Sequence, residues 1–121
     1  MSCAHPNAAR FKRMGVGHCG YCVPCIIRAS AEHRAGLSGT PHVLSYAHDV
    51  RRKVRAGSGL TDRTGGDVRS FEQAIMRAKQ KPPGVGQVLQ AGPLSSDAAH
   101  IMDYVQVYTR GLNEVDAFFA S

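Results

Sequence analysis

The chain has 121 residues, of which 43% are hydrophobic and 20% charged, as is typical of one soluble globular domain. It has no apolar run near the ~20 residues of a membrane helix and no N-terminal signal segment, so we expect a cytoplasmic protein. The net charge of +6 is uneven, with +7 in residues 1–55, +2 in residues 56–95 and −3 in residues 96–121.

The first predicted element is a helix that begins at a run of three cysteines. The segment HCGYCVPC places Cys19, Cys22 and Cys25 at two overlapping Cys-x-x-Cys steps. Gly20 permits a tight turn between the first two cysteines, which lets backbone amides approach the sulfurs. Pro24 fits the first turn of a helix, where its missing N–H costs nothing.

The middle of the chain predicts two helices. Apolar side chains recur at steps of three and four over residues 43–54 and 68–78, and Asp67 is a plausible cap for the second helix. Two loops are predicted, a glycine-rich one over residues 55–67 and one over residues 79–86 that contains two adjacent prolines.

The end of the chain predicts a short helical piece and then the longest helix. The short piece covers residues 85–89 and is expected to end before Gly92-Pro93. From 101 to 119, apolar side chains follow steps of 4, 3, 4, 3 and 4. The candidate caps of this helix are Ser95, Ser96 and Asp97. No segment alternates with period two for long enough to predict a strand, so we expect an all-α fold of about five helices.

Cys3 supplies a fourth thiol, sixteen positions before Cys19. Zn²⁺ takes four ligands in a tetrahedron, and four thiolates leave no open position for water, so such a site is structural rather than catalytic. The predicted zinc ligands are Cys3, Cys19, Cys22 and Cys25. His5 or His18 in place of Cys3 is an alternative, and an iron–sulfur cluster is another use of the same four thiols.

The predicted metal site ties the N-terminal arm to the start of the first helix. We therefore expect one zinc-stabilised helical domain over residues 1–121. Residues 1–36 would hold the zinc motif and the first helix, and residues 37–121 the helical remainder. Neither part contains a pattern that predicts a catalytic residue.

The cysteine pattern resembles the C-terminal zinc-binding motif of the 7-cyano-7-deazaguanine synthase (QueC) family. That motif has Ser-Cys, a spacer, Cys-Gly-x-Cys-x-x-Cys and then an arginine. The segments SCAHP and HCGYCVPCIIR look closer still to QueC-like proteins of the Qat bacterial defence systems, and residues 110–115 are similar to their tail. The resemblance implies that Ser2-Cys3 holds the first ligand, that the three later cysteines complete the set, and that Arg28 is the arginine after the motif.

The family is ATP-dependent through an N-terminal PP-loop domain with a Ser-Gly-Gly-x-Asp-Ser phosphate loop. This sequence has no such loop, because GSGLTD at residues 57–62 follows no apolar strand that would aim it at a phosphate. The spacer between Cys3 and Cys19 is longer than is usual in the queuosine-pathway enzymes, which favours the defence-type relatives, whereas the missing loop argues against an ATP-dependent synthase. We therefore expect a non-enzymatic counterpart of the C-terminal part, acting as an interaction or scaffold unit for a protein partner or a second copy.

Two other functions are compatible with the sequence. A small basic zinc protein could bind nucleic acid, although the few aromatic residues do not interleave with its basic clusters. The residues proposed for that contact are Lys12, Arg13, Arg51, Arg52 and Arg55. A thiol–disulfide protein would instead use Cys22 and Cys25 at the helix start, but it needs a βαβ context that this chain does not predict.

Overall fold

The computed structural model describes residues 3–5, 7, 8, 13, 17–56, 65–90 and 99–121. These residues form five helices and contain no strand, so the predicted all-α fold with its cysteines near the first helix is confirmed. The helices are α1 (Val23–Arg34), α2 (Val50–Ala56), α3 (Gly66–Gln80), α4 (Val85–Gln90) and α5 (Ile101–Ala120). Over this part of the chain, no helix is both long enough and apolar enough to cross a membrane.

Helix α5 organises the fold because it packs against each of the other four helices, and α1 also touches α3. The buried core lies where α1, α2 and α3 meet the C-terminal half of α5. Its members are Ile26, Ala29, Val50, Val68, Ile75, Leu112, Val115, Phe118 and Phe119. Burying a side chain of the size of Phe118 contributes about 1.5–3 kcal/mol, so this cluster is the main apolar source of stability.

The helix predicted from the periodicity of residues 101–119 is confirmed. The observed helix ends one residue later, at Ala120. The buried side chains include Val105, Leu112 and Val115, as the pattern predicts. Tyr108 differs, because 42% of its surface remains exposed although it lies on the predicted apolar stripe. The candidate caps at residues 95–97, like Gly92-Pro93, lie outside the described residues.

The predicted helix over residues 43–54 is wrong in its first half, since α2 begins only at Val50. The backbone of residues 45–48 is instead hydrogen bonded to the cysteine loop. The His18 amide donates to the Ser45 carbonyl at 3.0 Å, and the Ala47 amide donates to the His18 carbonyl at 2.8 Å. These bonds hold the segment extended, as the isolated parallel bridge between positions 18 and 46 shows. Helix α2 then starts after Asp49, whose carboxylate accepts the Arg51 amide at 3.0 Å.

Helix α3 ends before the two prolines, as predicted, but Asp67 does not cap it. Gly65 is the N-cap residue, and Asp67 lies inside the first turn. The Asp67 carboxylate accepts the backbone N–H of Val23 at 3.1 Å, so it caps α1 across the structure. The predicted loop over residues 55–67 is helical at both ends, and its central residues 57–64 lie outside the described part of the chain.

Candidate metal centre

The four cysteines come together at one point, next to the start of α1. Their sulfur atoms all lie within 4.8 Å of one another, and all four thiols are free of disulfides. The Sγ atoms of Cys19 and Cys25 are 3.7 Å apart. A tetrahedron of sulfurs about 2.3 Å from a central ion has edges of about 3.8 Å, so this separation fits a tetrahedral thiolate site.

The loop from Cys19 to Cys22 turns around its sulfurs through Gly20. The φ angle of Gly20 is +92°, in the region that favours glycine, and a Cβ there would collide with the His48 backbone carbonyl. The backbone amides of Tyr21 and Cys22 act on the Cys19 sulfur and lower its pKa, and the amide of Gly20 has the same effect on the Cys25 sulfur. The tight turn with amides at the sulfurs is therefore confirmed.

The beginning of α1 places two of the ligand atoms. Cys22 is the N-cap residue with extended backbone angles, φ −83° and ψ 160°, and Pro24 follows in the first turn. Cys25 lies in that same turn, where the exposed amides and the positive end of the helix dipole favour negative charge. The Cys-x-x-Cys spacing therefore brings the thiols of Cys22 and Cys25 to the N-terminal end of α1.

Cys3 reaches the cluster from the N-terminal arm. Its sulfur accepts the backbone N–H of Cys19 at 3.3 Å and that of His5 at 3.4 Å. Burial raises the pKa of this thiol, but hydrogen bonds from the two amides and from the Cys19 and Cys25 side chains together outweigh burial and lower the pKa to about 7. The long spacer after Cys3 therefore does not prevent it from lying with the other three sulfurs.

The other three cysteines are almost fully inaccessible to solvent, with at most 1% of their surface exposed. Burial raises the pKa of Cys19 to about 11 and also raises the pKa of Cys25, which disfavours the thiolates when no cation is near. A bound metal ion reverses this preference because coordination deprotonates a thiol outright. The donor set, its burial and its spacing together fit a metal ion.

Neither histidine considered as an alternative ligand belongs to this cluster. The ring of His5 stacks on Tyr21, with 5.2 Å between the ring centroids. The ring of His18 is buried, and its Nε2 lies 2.7 Å from the Arg28 guanidinium. In the part of the chain that is described, the ligand atoms that meet are the four cysteine sulfurs.

A polar layer behind the cysteine loop was not predicted from the sequence. Burial, together with the charge of Arg28, lowers the pKa of His18, so its neutral ring accepts a hydrogen bond from that arginine. Tyr46 packs against the His18 ring and donates its hydroxyl to Glu32 at 2.9 Å. The pairing of residues 45–48 with the cysteine loop brings these groups together, and no local pattern in the sequence encodes that pairing.

Three of the five basic residues proposed for nucleic-acid contact, Arg13, Arg51 and Arg52, lie in the part of the chain that the structure describes. Arg13 and Arg52 are exposed. The guanidinium of Arg51 forms a two-point ion pair with Asp49, with distances of 2.8 Å, and lies over the Phe118 ring. Lys12 and the side chain of Arg55 lie outside the described structure, so nucleic-acid binding stays a prediction.

We found no match to this chain among protein-family models, curated proteins or solved structures. The candidate site therefore depends on its own geometry and chemistry.

Proposed function

We propose that the chain is a zinc-stabilised helical module that corresponds to the C-terminal part of QueC-like proteins and serves as an interaction or scaffold unit. One observation carries the metal assignment: four cysteine sulfurs meet within 4.8 Å of one another, beside a helix start. The sequence resemblance described above supports the family assignment, and the absence of a phosphate loop in the sequence supports a non-enzymatic role.

Zinc is the metal that this donor set favours. Four soft thiolates in a tetrahedron select Zn²⁺ or an iron–sulfur cluster, and a sulfur–sulfur edge of 3.7 Å matches a single central ion. Bound Zn²⁺ would supply the charge that stabilises buried thiolates. Because the chain provides all four ligands, no position would remain for water or substrate, and the site would be structural.

The consequence for the fold is a link between the N-terminal arm and the core. Cys3 would be held to the cysteine loop, and Cys25 would attach the same ion to α1. Helix α1 in turn packs against α5 through Ile26 and Ala29, which belong to the buried core. The metal would therefore stabilise the whole helical module rather than a local loop.

The test is the metal content and thermal stability of the purified chain, with and without a chelator. We expect one Zn²⁺ per chain and a large fall in melting temperature after chelation, because structural zinc contributes directly to folding. Cys3→Ser should weaken zinc binding strongly. His5→Gln is the matched control, because it keeps the four thiols and removes the neighbouring imidazole. Unchanged stability without any metal would contradict the proposal.

A thiol–disulfide function is less well supported by the geometry. A redox pair needs an accessible thiolate that attacks its substrate, whereas Cys22 and Cys25 each expose about 1% of their surface. We therefore expect the metal-loaded protein to resist thiol-reactive dyes until the metal is removed.

A further inference from the structure

One face of α5 is apolar over its whole length, but only half of that face is covered. Tyr104, Val107, Tyr108 and Gly111 share the face, since they follow the helical spacing of three and four residues. The same line continues into Val115, which is buried in the core. In the N-terminal half, the exposed fractions are 36% for Tyr104, 59% for Val107 and 42% for Tyr108.

The uncovered half of this face is open to close approach. A Cβ placed on Gly111 would meet no other atom within 4 Å, so a second backbone can come near the helix there. Beside Gly111 lies an apolar groove of about 200 Å³, lined by residues that include Phe71 and Leu112. Ile27, at the edge of the groove, is 52% exposed. Exposed apolar side chains that cluster in this way mark interaction surfaces.

We propose that this α5 face, formed by Tyr104, Val107, Tyr108 and Gly111, binds the same face of a second copy, with the two helices antiparallel. Charge decides between this occupant and an unrelated partner. Asp103 and Arg110 are exposed, seven residues apart and on the same edge of the face. Consider an antiparallel pair in which Tyr104 packs against the partner's Val107. In this register Asp103 lies beside the partner's Arg110. The two-fold axis produces the same contact a second time, between Arg110 and the partner's Asp103.

The parallel arrangement offers no such pairing, because it places Asp103 beside the partner's Tyr108. The face therefore complements itself only in the antiparallel, two-fold symmetric arrangement. Since one helix face with Ile27 is a small interface, we expect a dimer that forms at micromolar rather than nanomolar concentration. This inference extends the interaction role proposed above by naming the partner as a second copy.

The test is the mass of the purified full chain by sedimentation velocity over a range of micromolar concentrations. We expect a reversible change from one chain to two as the concentration rises. Val107→Asp should abolish the dimer while leaving the fold intact, because the side chain is exposed. Met102→Asp is the matched control, since Met102 is equally exposed on α5 but points away from this face.

Charge reversal tests the antiparallel register. Either Asp103→Arg or Arg110→Asp alone should raise the dissociation constant about tenfold, because each change places like charges together at both symmetric contacts. The double variant restores opposite charges and should recover most of the affinity. A chain that stays single at every concentration, a dimer that Met102→Asp disrupts equally, or a double variant without recovery would overturn the proposal. These outcomes are independent of the bound zinc, so they are distinguishable from failure of the metal assignment.

Discussion

Gly20 lies where the cysteine loop packs against the backbone of His48. Its positive φ angle turns the loop, and the missing side chain leaves room for the His48 carbonyl. The neighbouring His48 amide donates to the Cys19 carbonyl at 3.0 Å, so the contact is part of a hydrogen-bonded pairing. A side chain at this position would disturb both the turn and the pairing.

We therefore predict that Gly20→Ala lowers the free energy of unfolding by about 3 kcal/mol, since backbone strain and a collision act together. Gly39→Ala is the matched control, because Gly39 also has a positive φ but a Cβ there meets open space. The control should lose only about 1 kcal/mol. Urea unfolding of the metal-loaded chain measures both values, and equal losses would show that the His48 contact is unimportant.

The residues of the candidate site were only partly predictable. Spacing identifies three of the cysteines, because two Cys-x-x-Cys steps constrain their sulfurs to one turn, and Cys3 is proposed as the fourth ligand because it is the remaining thiol. The contact of Arg28 with His18 and the hydrogen bond from Tyr46 to Glu32 could not be predicted, since they depend on how distant backbone segments pair. The resemblance to QueC-like proteins marks Arg28 as part of the motif but does not say what it contacts.

At the scale of elements, apolar periodicity predicts a helix well where one face of the helix packs against the core. Helix α5 follows its apolar pattern because one stripe faces the core along most of its length. The predicted start of α2 is wrong because residues 45–48 form hydrogen bonds with the cysteine loop instead of the hydrogen bonds of a helix. The sequence predicts Asp67 as a cap of α3, whereas its carboxylate accepts the amide of Val23 in α1, a residue that is distant in sequence.

The contact between Asp67 and Val23 gives a prediction about how α3 and α1 are joined. Asp67→Ala should lower the free energy of unfolding by about 1 kcal/mol, because it leaves a helix-terminal amide without its acceptor. Glu72→Ala, on the same helix, removes the same charge at a position that does not cap α1 and should change stability by less than about 0.5 kcal/mol. Chemical denaturation of both variants measures the difference, and similar values would argue against a cap between helices.

At the scale of the whole molecule, the metal centre and the apolar core are contiguous. Tyr21 and Tyr46 pack against both the cysteine cluster and the core cluster, so neither cluster is isolated from the other. Helix α5, which contributes Leu112 and Val115 to that core, also carries the exposed apolar face. The molecule therefore combines a buried cluster of four cysteines, which we propose to be a structural zinc site, with an exposed apolar face.

The central claim is that one zinc ion is bound by four cysteine sulfurs. X-ray absorption at the zinc edge of the purified chain tests it most directly, because it reports the type and distance of each ligand. We expect a single shell of four sulfur atoms at about 2.3 Å and no nitrogen shell. A nitrogen shell at about 2.0–2.1 Å, or protein that folds fully without bound zinc, would contradict the account.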